Sequence, residues 1–291
     1  MHTSLLVTFF AILALPLTSC GGAPAPSPAA TVNPAISAAA SPTAATVPVS
    51  SGQPKKLTVF AASSLTESFT ELATGFSAKA EGAKVTYNFG GSNQLRTQIE
   101  QGAAADVFAS ANEKEMDTLV KAGLIEGVPS IFAKNRLVVI TPKGNPGKVE
   151  KLQDLGREGL KIVVAGPNVP VGNYMLQMLD KMNADPTYGS GFKEKFMKNV
   201  ISEETNVKQV VAKVQLGEGD AGVVYGTDVT AKVAPEVQMI EVPDAFNVTA
   251  QYPIAPTKDA KEKELAQAFV QFLLSDEGQQ VMKRYNFAPA H

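Results

Sequence analysis

Short β-rich runs alternate with segments of helical period along residues 57–291, and this alternation makes an α/β protein with largely parallel sheets the expected fold class. The expected strands are Leu57–Ala62, Lys84–Phe89, Asp106–Ala109, Arg136–Thr141, Lys161–Ala165, Ala221–Tyr225, Val237–Val242 and Thr249–Ala255. Between the first two, Leu65, Phe69, Leu72 and Phe76 recur at spacings of four, three and four, which places them on one apolar helix face. Ser64 and Glu67 have the spacing of a capping box, so that helix is expected to start directly after the first strand. A final amphipathic region holding Leu265, Phe269, Phe272 and Leu273, then Val281, Met282 and Tyr285, is assigned to packing. The stretch exceeds the usual single-domain length, so two lobes or one large unit are expected.

Four stretches bring hydroxyl or amide groups to expected helix starts without a Lys or Arg among them. They are Ala61–Glu67, Gly90–Gln94, Pro167–Tyr174 and Ser202–Val207. The first N–H groups of a helix have no intrahelical partner, so convergence of several such starts suits an oxyanion held by neutral donors. In open α/β sheets, ligands bind at the carboxyl ends of strands, the position these stretches occupy or adjoin. Taken singly, each is weak evidence, because such residues at helix starts are mostly ordinary caps, and Gly90-Gly91 could be only a turn. Their joint occurrence with Gly222–Asp228, where Tyr225 sits between a buried strand and a glycine, points to a binding site.

Catalytic constellations lack material. The histidines are His2 and His291, so neither a Ser-His-Asp triad nor a histidine metal cluster can be drawn. Ser63 or Ser64 activated by a lysine would make a hydrolase, but no lysine is placed beside them. Glu203-Glu204 near a helix start reads as dipole compensation. Basic and acidic residues number 26 and 28, a net charge of −2 with no basic stripe, which argues against a nucleic-acid partner.

The chain opens with an apolar run, Leu5–Leu15, too short to span a bilayer and followed by Leu17-Thr18-Ser19-Cys20. This reads as a lipoprotein export signal over residues 1–19, cut before Cys20, whose sulfur receives a diacylglycerol. The stretch before the run carries His2 but no Lys or Arg, a departure from the usual positive start. With Cys20 as the single cysteine, no intramolecular disulfide is available. Residues 21–56 hold seven of the 19 prolines and no acidic residue. Residues 20–56 are therefore expected to be a disordered tether, with a mean reach of about 30 Å.

Thr58–Thr66, Phe89–Ser92, Ala105–Ala111, Gly222–Asp228 and Lys283–Phe287 together resemble the molybdate-binding proteins of bacterial ABC importers, a resemblance running from Leu57 to Phe287. It implies a type II periplasmic-binding-protein fold, two α/β lobes with a hinge of two crossing strands. Lobe one is expected at 57–139 with 250–291 and lobe two at 140–249, with Arg136–Thr141 and Thr249–Ala255 as the crossovers. The resemblance further implies an oxyanion held by the hydroxyls and N–H groups of Ser64 and Ser92, the N–H groups of Val171 and Val207, and the hydroxyl of Tyr225. Ser63, Gly91, Asn93 and Asn206 would lie around its edge. The implied protein is a binding protein without a cofactor, not an enzyme. It would be monomeric, anchored outside the cytoplasm by lipid on Cys20, and would capture molybdate or tungstate without protein–metal bonds for a membrane permease. Another oxyanion such as sulfate, a Ser/Lys hydrolase and an adhesive lipoprotein remain as alternatives.

Overall fold

The computed structural model describes residues 55–80 and 83–290. The expected export signal, Cys20 and all but the end of the tether lie outside the described residues. Lys56, expected as the last tether residue, opens the first strand.

Two five-stranded sheets carry the chain. The first is built from β1 (Lys56–Ala62), β2 (Lys84–Gly90), β3 (Val107–Ala109) and β4 (Ser130–Asn135), with α1 (Thr66–Lys79), α2 (Ser92–Glu100) and α3 (Glu113–Lys121) between them. The chain then enters the second sheet through β5 (Leu137–Pro142), β6 (Ile162–Ala165), β7 (Val200–Glu204), β8 (Ala221–Tyr225) and β9 (Val237–Glu241), with α4 (Pro170–Ala184), α5 (Phe192–Lys198) and α6 (Val207–Gln215) as crossovers. It returns to the first sheet as β10 (Ala250–Pro256) and ends in α7 (Lys263–Leu274) and α8 (Asp276–Arg284).

Both sheets share one plan. Their orders are β2-β1-β3-β10-β4 and β7-β6-β8-β5-β9. In each, a parallel trio is joined by one reversed strand, and that strand is the one arriving from the other sheet: β10 runs antiparallel to β3 and β4, and β5 antiparallel to β8 and β9. The segments Arg136–Thr141 and Thr249–Ala255 therefore lie almost wholly within β5 and β10, each paired in one sheet. The passages themselves are Arg136, between β4 and β5, and residues 242–249, between β9 and β10.

The expected face of α1 is core: Phe69 and Leu72 are fully buried and Phe76 nearly so, with Phe69 and Phe76 packing edge-on against Phe269 of α7. The expected capping box at Ser64 and Glu67 does not form. Ser63–Leu65 make a 3-10 turn, α1 starts after Leu65 without a side-chain cap, and the two side chains are engaged elsewhere. Two strands escaped the sequence reading, β4 and β7, and both are sheet edges.

Candidate functional site

Register brings the carboxyl ends of strands level. Ala62 of β1 pairs with Gly90 of β2, so Ser63-Ser64 and Gly91-Ser92 leave the first sheet side by side. Ala61 pairs with Ala109 of β3, and Ala111 follows close enough for its N–H to donate to Ser92 Oγ at 3.0 Å. In the second sheet Ala165 of β6 pairs with Glu204 of β7, which sets the starts of α4 and α6 next to each other. Gly172 lets the first turn of α4 lie close against the end of β6, because a Cβ there would run into the carbonyl oxygens of Ala165 and Gly166. Tyr225, the last residue of β8, stands beside them.

These ends line one small pocket. Ser64, Ser92, Val171, Val207 and Tyr225 line it together, as do Ser63, Gly91 and Asn206. Asn93 does not: it borders a separate polar groove with Arg96 and Asn168. Ala62, Gly90, Ala111, Val169 and Pro170 complete the lining. No cationic side chain is among these residues.

The donors are ordered. Val171 and Val207 lie in the first turns of α4 and α6, where backbone N–H groups have no intrahelical acceptor. Asn206 caps α6 by accepting from the Gln209 N–H at 3.2 Å. Ser92 Oγ, already accepting from Ala111, has its own hydrogen left to donate. Ser64 Oγ lies 3.0 Å from the hydroxyl of Tyr252. The Tyr225 hydroxyl is buried and finds no hydrogen-bond partner among the described residues. Burial pushes its pKa far above the ordinary tyrosine value, so it stays a neutral donor. A buried, unpartnered hydroxyl is costly unless a ligand completes it.

Sequence reasoning missed three features behind this lining. Tyr252 and Asn135 support Ser64 from beneath, with Asn135 Nδ2 at 3.3 Å from the Tyr252 hydroxyl. Lys208, next to Val207, contacts Glu67 of α1 and lies 3.4 Å from buried Asp228. Gly91 closes against the Thr205 carbonyl oxygen, where a Cβ would overlap it. No local pattern announces any of them.

The model of a family described as bacterial extracellular solute-binding protein matches residues 57–288. The chain belongs to the bacterial extracellular solute-binding proteins. Among its relatives, the molybdate-binding protein ModA of Mycobacterium tuberculosis is 38% identical over 234 residues, covering 80% of this chain and 85% of that protein. The solved periplasmic molybdate-binding protein of Azotobacter vinelandii superposes with a TM-score of 0.71 at 22% identity, over 81% of this chain and 100% of that one. The sulfate-binding protein SubI of M. tuberculosis gives 0.73 at 19% identity, over 81% and 87%. At these identities the two structures speak for the two-lobed α/β fold of periplasmic binding proteins. This solute-binding protein is a transport component and not an enzyme.

Proposed function

We propose that this solute-binding protein captures molybdate between its two sheets and delivers it to an ABC permease. The observation that carries this is the convergence of Ser64, Ser92, the starts of α4 and α6, and the unpartnered Tyr225 hydroxyl on one small pocket without a cation. Its relative in M. tuberculosis, 38% identical, is a molybdate-binding protein.

A tetrahedral dianion accepts at every oxygen and donates nothing, which matches a lining whose free polar groups are donors. Hydrogen bonds to charged groups contribute roughly 1.5–3 kcal/mol each. About seven such bonds reach roughly 10–20 kcal/mol, enough for the roughly 8–12 kcal/mol of micromolar to nanomolar affinity, with the upper part of the range offsetting desolvation and closure. Helix dipoles add roughly 0.3–1 kcal/mol per terminus. The missing countercharge leaves the anion free to depart once the sheets part, with Arg136 and residues 242–249 as the hinge. Tungstate, nearly the size of molybdate, binds in the same way. Sulfate is too small for all donors to reach its oxygens at once.

The oxyanion ligands in this reading are Ser64, Ser92, Val171, Val207 and Tyr225, with no protein–metal bond. The protein works as a monomer outside the cytoplasm, held to the membrane by lipid on Cys20 through the tether of residues 20–56. Calorimetric titration of ligand-stripped protein with molybdate, tungstate and sulfate tests the site. One-to-one binding of the first two alone is expected; binding of sulfate alone would keep the fold and change the solute. Release of a Cys20→Ala variant from membranes tests the anchor.

A further inference from the structure

Beneath Ser64 lies a chain of buried polar groups that runs from Asn135 through Tyr252. Asn135 Oδ1 accepts from the Arg136 N–H at 2.9 Å, which orients the amide. Its Nδ2 then has two hydrogens and two acceptors, Thr227 Oγ1 at 2.7 Å and the Tyr252 hydroxyl at 3.3 Å. Having accepted from Asn135, the Tyr252 hydroxyl has one hydrogen to give, and Ser64 Oγ at 3.0 Å is an acceptor within its reach. In that arrangement Ser64 accepts on its inner side and its own hydrogen is free to point into the pocket. Ser64, Tyr252 and Asn135 are all buried, so water does not compete for these directions. The Tyr252 ring is held edge-on by Phe132, Tyr225 and Phe287, with centroids 6.2, 5.9 and 5.5 Å away.

We propose that Tyr252 and Asn135 are positioning residues that hold the Ser64 hydroxyl as an obligate donor to the bound oxyanion, an inference that rests on the oxyanion reading of the pocket. Without Asn135, the Ser64 hydrogen can turn inward to the Tyr252 oxygen, leaving lone pairs facing an anion; without the Tyr252 hydroxyl, Ser64 loses the inner donor that fixes its rotamer and is free to turn away from the ligand. Alignment of successive hydrogen bonds also polarises the last donor. Neither residue touches the ligand; both act through Ser64. Because Asn135 is the last residue before the Arg136 passage and also bonds Thr227 just after β8, the relay starts where the sheets are joined.

A double-mutant cycle in molybdate affinity tests this. Tyr252→Phe keeps the ring and its packing, leaves one Asn135 Nδ2 hydrogen without its acceptor, and is expected to weaken binding five- to tenfold while the protein stays folded. In a Ser64→Ala background the same substitution is expected to change affinity less than twofold, because the group it orients is gone. Equal losses in both backgrounds, or no loss from Tyr252→Phe alone, would overturn the relay. Should the unaltered protein bind no oxyanion, the reading of the pocket fails and the relay with it. Binding by the unaltered protein with additive losses removes the relay alone.

Discussion

Lys208 Nζ lies 3.0 and 2.8 Å from the two carboxylate oxygens of Glu67, tying α6 of the second sheet to α1 of the first beside the pocket. The same ammonium group is 3.4 Å from Asp228 Oδ1. Lys208 follows directly on Val207, so the ion pair spans the sheets one residue from an expected anion donor.

Breaking this tie is expected to weaken molybdate binding without unfolding the protein. Partly exposed ion pairs contribute roughly 0.2–1 kcal/mol, so Glu67→Gln should lower affinity by about two- to fivefold. Titrations at low and high salt check it: the unaltered protein should lose part of its affinity with salt, and the variant should lose less.

Gly91 reports on closure. Its φ of −65° suits any residue, so a side chain there introduces no backbone strain within the first sheet. The added Cβ meets the Thr205 carbonyl oxygen, just past β7 of the second sheet, and the movable Asn93 side-chain oxygen on its own side. Gly91→Ala should therefore leave the ligand-free thermal midpoint unchanged and reduce molybdate affinity at least tenfold by titration. Retained affinity would mean that the sheets need not approach this closely.

Ser92 and Tyr225 should separate affinity from stability. Ser92→Ala is expected to weaken binding at least tenfold. It also leaves the Ala111 N–H without its acceptor, costing about 1–3 kcal/mol of stability while the fold stays intact. Tyr225→Phe removes a hydroxyl that bonds nothing among the described residues, so affinity should fall while ligand-free stability holds or rises. Parallel titrations and thermal melts of both variants check the contrast; equal affinity for Tyr225→Phe would make Tyr225 core.

Asp228 gives a pH signature. Burial pushes its pKa up to about 6 from 3.8, against the lowering effect of Lys208 and of the Tyr225 N–H that donates to Oδ2 at 3.2 Å. The folded protein holds this proton more tightly than the unfolded chain. The group's contribution is therefore complete below 3.8 and is lost as pH rises through about 6, by an amount of the order of 1–3 kcal/mol. Asp228→Asn should gain stability relative to the unaltered protein between pH 4 and pH 7, read as the difference between their thermal midpoints across that range; a flat difference would refute it.

Legibility in the sequence followed the range of the interaction. The starts of α2, α4 and α6 could be read because glycine, proline and asparagine act on their own few residues. Edge strands were harder: β7 alternates half-buried and exposed positions and ends in Glu203-Glu204, so no apolar run marks it. The capping box was misread because Ser64 and Glu67 have partners 188 and 141 residues away, Tyr252 and Lys208. Nothing local to either residue distinguishes a cap from a long-range bond.

By itself, the sequence determined the α/β class, eight of the ten described strands in their order, the amphipathic faces that build the core, and which loops carry donors, since these depend on periodicity and on residues close along the chain. Tertiary structure alone decided that eight of the nine expected site residues share a pocket and that Asn93 does not. It also decided what lies opposite the Ser64 and Ser92 hydroxyls. A hydroxyl donates or accepts according to what lies opposite it, and here strand register and the exchange of β5 and β10 between sheets put Tyr252, Asn135 and Ala111 there.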